Sequence, residues 1–185
     1  MGKAVLISIR PKWVRLIESG KKTIEVRKTR PKISTPFKCY IYQTLPKSGD
    51  WNDRDGRVVA EFLCDRIYDI EYEPDEGYNE CYSPDGFSDC LTDEEFNEYL
   101  RCKNGYGWRI SNLVIYDKPR KLTDLYRWYD GVTDIRPCEN GKKCDHLIFD
   151  YSEDHEACGI DYDGENCPFL KVMRPPQSWC YVEEM

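Results

Sequence analysis

Apolar and polar positions alternate or cluster along the chain in a way that assigns most of its elements. Residues 4–9 form a short apolar run with β-branched members, which predicts a strand. Pro11 suits the first turn of a helix, Trp13, Leu16 and Ile17 follow at helical spacing, and Gly20 supplies the left-handed stop. From residue 22 to 28 the pattern changes to period two: Ile24 and Val26 point one way, Thr23, Glu25 and Arg27 the other. That is the signature of a strand buried on one face. Pro31 and Pro36 mark a loop, residues 38–43 a strand rich in Tyr and Ile, and Pro46 to Asp50 a turn. Residues 57–67 read as one long strand. Thr92-Asp93-Glu94-Glu95 has the form of a capping box opening a helix with Phe96, Tyr99 and Leu100 on its apolar face. Asn104-Gly105 turns the chain, and residues 107–122 read as one or two further strands. Several short strands with two helices predict an α+β fold built on a small β-barrel with flanking helices.

Charge changes this picture by dividing it. The 185 residues carry a net charge of −7, yet the first forty hold eleven Lys/Arg against Glu18 and Glu25. Residues 65–98 reverse the sign, with thirteen acids and one cation, Arg66. A basic segment in an acidic chain sets up a local field that attracts anions. The competing explanation is a solvated basic face balanced by acidic insertions.

Residues 137–169 lose the periodicity altogether. They hold Cys138, Cys144, Cys158 and Cys167, both histidines (His146 and His155) and nine acids. Such a segment lacks the apolar surface to fold alone. Four thiolates satisfy a closed tetrahedral zinc site, so a structural Zn is one reading; free thiols in an acidic loop are the other. The N-terminal apolar run is short, is followed by Arg10 and Lys12, and reads as a strand and not as a signal peptide. With ten cysteines then taken as thiols or metal ligands, a cytoplasmic protein is expected, with no membrane partner.

The segment Gly20-Lys21-Lys22-Thr23-Ile24-Glu25-Val26-Arg27 contains the pattern G-x-K-x-x-E-x-R at a helix-to-strand junction. This resembles the hallmark of the ASCH family, of the PUA-like superfamily. Ile7 to Trp13, Gly56 to Phe62, Tyr106 to Ile110 and the closing Pro175-Pro176-Gln177-Ser178-Trp179-Cys180-Tyr181-Val182 are similar to its other segments, the last to phage and bacterial members. The resemblance covers residues 4–122 and 174–184. It implies one PUA-like domain over 1–185, with an acidic insertion at 65–104 and the cysteine-rich cassette inserted at 137–169.

The residues themselves point to anion chemistry. Arg27 offers a planar fork for phosphate or a base edge, Lys22 a point charge, and Glu25 an acceptor on the same strand face as Arg27. The alternative is a surface ladder of little energetic worth. Tyr42, Trp108 and Trp179 are candidate stacking rings, although aromatic residues on strands are more often core. Gln177 and Ser178 can present hydrogen-bonding groups to a base. The leading expectation is binding of RNA, single-stranded nucleic acid or a nucleotide. The resemblance also implies an enzyme alternative, because some family members hydrolyse N4-acetylcytidine with a Lys, a Thr and a Glu, and others are ribonucleases. Lys22 matches the lysine, Glu25 occupies the threonine position, and the candidate acid is Glu61 or an acid among Asp65–Glu73. A third reading makes the acidic insertion a surface for a protein partner.

Overall fold

The structure is a computed structural model that describes residues 2–46, 49, 52–74, 77–78, 88–128, 172 and 174–185. The cassette and its four cysteines therefore lie outside the described residues. The expected elements appear in order. Strand β1 (Lys3–Ile9) leads into α1 (Pro11–Glu18), with Pro11 at its first turn, and Gly20 turns the chain at φ +72°. Then come β2 (Ile24–Arg27), β3 (Phe37–Gln43), β4 (Arg57–Cys64), β5 (Ile67–Ile70) and the short pair β6 (Tyr72–Glu73) and β7 (Gly77–Tyr78). Helix α2 (Asp93–Leu100) opens on the expected capping box: the Glu95 amide donates to Thr92 Oγ1 and the Thr92 amide to Glu95 Oε2, both at 3.2 Å. Strands β8 (Gly105–Arg109), β9 (Ser111–Arg120) and β10 (Trp179–Glu183) complete the order.

Five strands form one sheet in the order β10-β1-β3-β4-β9, parallel only between β1 and β3. A second sheet runs β2-β8-β5, antiparallel throughout. The predicted small β-barrel is thus corrected: among the described residues these two sheets, and the short β6-β7 pair, do not close into one. The stretch read as a single strand over residues 57–67 breaks at Asp65-Arg66, where the chain leaves the five-stranded sheet for the three-stranded one. It passes back at Ile110, between β8 and β9. The Arg109 amide bonds Arg66 O at 3.0 Å and the Ile110 amide bonds Thr23 O at 2.8 Å, which pins both corners. Strand β9 shifts register twice against β4, with Asn112 at φ 48°, and no ladder among the described residues joins the edges of the two sheets.

The main core lies between the sheets and takes Val5, Ile7 and Ile9 of β1, Cys39 and Ile41 of β3, Phe62 of β4, Trp108 of β8 and the apolar face of α1. The opposite face of the five-stranded sheet is covered by a second cluster including Leu6, Tyr40, Tyr42, Val58, Leu125 and Val182. Helix α2 closes the outer face of the small sheet, where Leu100 packs on Val26 and Ile70. Gly105 is needed there: a Cβ would stand 2.8 Å from a Leu100 methyl and 3.2 Å from Arg27 O. Among the described residues no helix is long and apolar enough to cross a membrane.

Candidate nucleic-acid interface

The motif residues are brought together, but inside the protein. Lys22 is 2% exposed, Glu25 6% and Arg27 7%. Strand β2 has both faces covered: Val26 faces α2, and Glu25 and Arg27 face the five-stranded sheet. Glu25 is the shared counter-ion, with Arg27 Nη2 at 2.9 Å from Oε1 and Lys22 Nζ at 3.4 Å from Oε2. Each cation also donates to a backbone carbonyl. Arg27 Nη2 donates to Ser8 O on β1 at 2.7 Å, and Lys22 Nζ to Asp89 O at 2.5 Å. The Trp13 ring lies 5.1 Å from Lys22 Nζ. Buried charges persist only when paired and hydrogen-bonded, and these are. The triad is a buried junction that ties β2 to β1 and to residues 88–91. The expected surface ladder and the expected open contact are both replaced by it.

The predicted rings divide. Trp108 is fully buried, opposite Glu25 in the centre of the small sheet, edge-on to Phe37 at 5.9 Å. It is core and not a platform, because β8 is flanked by a strand on each side and its inner face meets the other sheet. Its Nε1, like Arg27 Nε, has no hydrogen-bond partner among the described residues. Tyr42 is also buried, on the far side of the five-stranded sheet with Tyr40 and Val58. Trp179 is half-buried: its ring centre is 6.0 Å from that of Trp108, and its Nε1 donates to Thr29 Oγ1 at 3.0 Å. Gln177 is exposed; Ser178 accepts the Ser8 amide through its carbonyl at 2.9 Å, so its backbone has a structural use.

Glu61 does not join Lys22 and Glu25. It pairs across β3–β4 with Tyr40, on the face away from the triad, where it meets Lys38 at 3.4 Å and accepts from Tyr116 Oη at 2.5 Å. Burial, and then the Glu61 carboxylate, push the Tyr116 phenol well above its ordinary pKa. The buried thiols behave alike. Desolvation holds Cys39 well above the usual value, only partly offset by the Arg27 guanidinium, and pushes Cys64 up to about 12. Among the described residues no group of three or more His, Cys, Asp or Glu is placed to hold a metal.

Exposed cations gather just beyond the motif. The loop from β2 to β3 and the end of β8 enclose an open groove of about 740 Å³ lined by Lys28, Thr29, Arg30, Lys32, Ser34, Thr35, Ile67 and Tyr106, with no acid in its walls among the described residues. The Arg30 guanidinium lies 5.5 Å from the Tyr106 ring centre and Lys28 Nζ 5.1 Å from that of Tyr99. Lys32 is fixed through its amide, which donates to Tyr181 Oη at 2.6 Å. The alternation Lys28, Arg30, Lys32 around Pro31, just after the motif, is the sequence signal for this groove. The cover over Lys22 by residues 88–91 has no such signal.

No family model and no curated protein matches the chain. Solved structures do match it. The ASCH protein of Zymomonas mobilis superposes with a TM-score of 0.50 at 21% identity, over 64% of this chain and 73% of that one. Two of its mutants do the same: a Tyr-to-Phe form at 0.50 and 20%, over 64% and 76%, and a Ser-to-Ala form at 0.50 and 18%, over 98% and 89%. The mixed and antiparallel sheets, the helices α1 and α2 and these neighbours give the chain an ASCH-like α+β fold.

Proposed function

We propose that the protein binds RNA, single-stranded nucleic acid or a nucleotide, with phosphates in the groove of Lys28, Arg30 and Lys32 and a base against Tyr106. The observation that carries this is the groove itself: three cations, the hydroxyls of Thr29, Ser34 and Thr35 and an aromatic ring converge on one open depression, with no acid there among the described residues. Phosphates favour clustered cations, and a ring accepts any base by stacking. The buried Lys22–Glu25–Arg27 junction then acts indirectly, by fixing the end of β2 from which the groove loop springs. The neighbouring folds are named ASCH, and a nucleic-acid role fits that company. The hydrolase alternative has less support, since Lys22 and Glu25 are engaged with each other beneath residues 88–91 and Glu61 lies on another face.

The test is a titration of labelled oligonucleotides at several salt concentrations. Wild type should bind single strands more weakly as salt rises. Arg30→Ala and Lys28→Ala should each lower the log–log salt slope by roughly 0.7 if each holds a phosphate. Tyr106→Leu should cost about 1–3 kcal/mol if a base stacks there. Absence of salt-dependent binding to any strand would refute the polynucleotide form of the proposal and leave a small nucleotide to be tried.

A further inference from the structure

A second place in the molecule has the chemistry of an anion site, and the chain's own backbone fills it. After the left-handed turn at Gly20, the amides of Thr23 and Ile24 both point at one oxygen, Ser88 O, at 2.7 and 3.0 Å. Lys22 Nζ points at the next carbonyl, Asp89 O, at 2.5 Å. Thr23 Oγ1 completes the ring by accepting the Ser88 amide at 2.7 Å. Successive main-chain amides with a lysine ammonium make a concave donor set of the kind that holds phosphate oxygens. Two neutral carbonyls are a weak match for the paired amides, which gain more from an anionic oxygen, while Lys22 keeps the Glu25 carboxylate at 3.4 Å on its other side.

Residues 88–91 are held there mainly by polar contacts. The Cys90 thiol donates to Lys21 O at 3.2 Å, Cys90 itself sits at φ 59° in the left-handed region, and only Leu91 packs on an apolar cluster, beside Val26 and Leu100. A β-carbon in that region is strained. We propose that residues 88–91 are an autoinhibitory strap, and that the Lys22–Thr23–Ile24 donor set beneath them binds a phosphate group when the strap lifts. The site is separate from the Lys28–Lys32 groove and goes beyond the function proposed above. In the closed form Lys22 is screened from any ligand. The apparent affinity is then the intrinsic affinity reduced by the open fraction.

Calorimetric titration with pyrophosphate tests this on the full chain. Cys90→Val sets a β-branched residue in the left-handed region and removes the thiol contact. Leu91→Ser independently removes the apolar anchor. Each should raise the affinity for pyrophosphate by roughly tenfold, as expected if the strap is closed about nine-tenths of the time. Adding Lys22→Met to either variant should abolish the gain, whereas adding Arg30→Ala, in the groove, should leave it intact. The proposal is overturned if neither strap variant binds more tightly than wild type. A gain that survives Lys22→Met, or one that vanishes with Arg30→Ala, overturns it as well.

Discussion

Replacing Glu25 by alanine should be among the most damaging single changes in the protein, although a reading of the sequence alone makes this residue a surface acid. Glu25 is 6% exposed and is the counter-ion of two cations that are themselves 2% and 7% exposed. Its removal leaves Lys22 and Arg27 side by side in the interior, with backbone carbonyls and the Trp13 ring but no anion to compensate them among the described residues. Breaking a buried pair by deleting one partner costs about 3–5 kcal/mol, because the survivor keeps its desolvation penalty. Two survivors of like sign put Glu25→Ala toward the upper end of that range. Domains of this kind have total stabilities of about 5–15 kcal/mol, so the loss is a large share of the whole. At about 2–4 °C per kcal/mol for a chain of this size, the melting midpoint should fall by roughly 6–20 °C. Urea denaturation of wild type, Glu25→Ala and the triple change Lys22→Met, Glu25→Leu, Arg27→Met gives the measurement. The triple variant should recover much of the loss, since apolar residues of similar volume often replace a buried ion group at little cost. A Glu25→Ala protein within about 1 kcal/mol of wild type would place the triad in water and refute the argument.

Two further outcomes follow from the same structure and a third from the sequence. Trp108→Ala should destabilise by about 3–5 kcal/mol through loss of a buried ring, and any loss of oligonucleotide binding should track unfolding and not stacking; a stable variant that binds poorly would restore the ring to the interface. Cys64 keeps its proton up to about pH 12 when folded, whereas the unfolded thiol ionises near its ordinary value of 9.0. Stability should therefore fall as pH rises from about 9 toward 12, by at most about 1.4 kcal/mol per pH unit for this group, and Cys64→Ala should flatten that slope in urea titrations across the range. If Cys138, Cys144, Cys158 and Cys167 ligate zinc, the purified protein should carry about one equivalent, and changing any of the four to serine should lower that content in a metal assay.

Local signals were legible where a single residue or a short spacing decides the structure. Pro11 and Gly20 bound α1, and Thr92 with Glu95 starts α2, because caps depend on nearest neighbours. The strand faces were also right: Ile24 and Val26 do point away from Glu25 and Arg27. What period two cannot say is whether the polar face meets water. It separates the faces without naming what covers each, and here one is covered by α2 and the other by a second sheet. The same limit applies to Trp108, whose burial follows from β8 standing between β2 and β5. The break at Asp65-Arg66 has a local trace, two adjacent polar residues where an alternating strand has one, but that trace does not say that the hydrogen bonds change sheet. Closure of a barrel depends on such long-range pairing, which no window of sequence contains.

The charge asymmetry has a physical resolution that the totals conceal. Of the cations in the first forty residues, Lys22 and Arg27 are spent on Glu25, Lys12 meets Glu95 of the acidic stretch at 2.6 Å, and Lys38 lies between Glu61 and Glu184. The acidic stretch supplies in cis both the Glu95 partner of Lys12 and the Asp89 carbonyl over Lys22. Lys28, Arg30 and Lys32 make no ion pair among the described residues, and they share one groove. Unpaired cations on one wall, with a ring and no acid, concentrate the field at that point more than their number implies. An acidic protein can therefore present one cationic groove, and net charge alone is a poor argument against a nucleic-acid ligand. The same pairing explains why the acidic stretch need not repel that ligand. Its helix covers the outer face of the small sheet, and the part that reaches the motif does so through neutral carbonyl oxygens and the Lys12 contact.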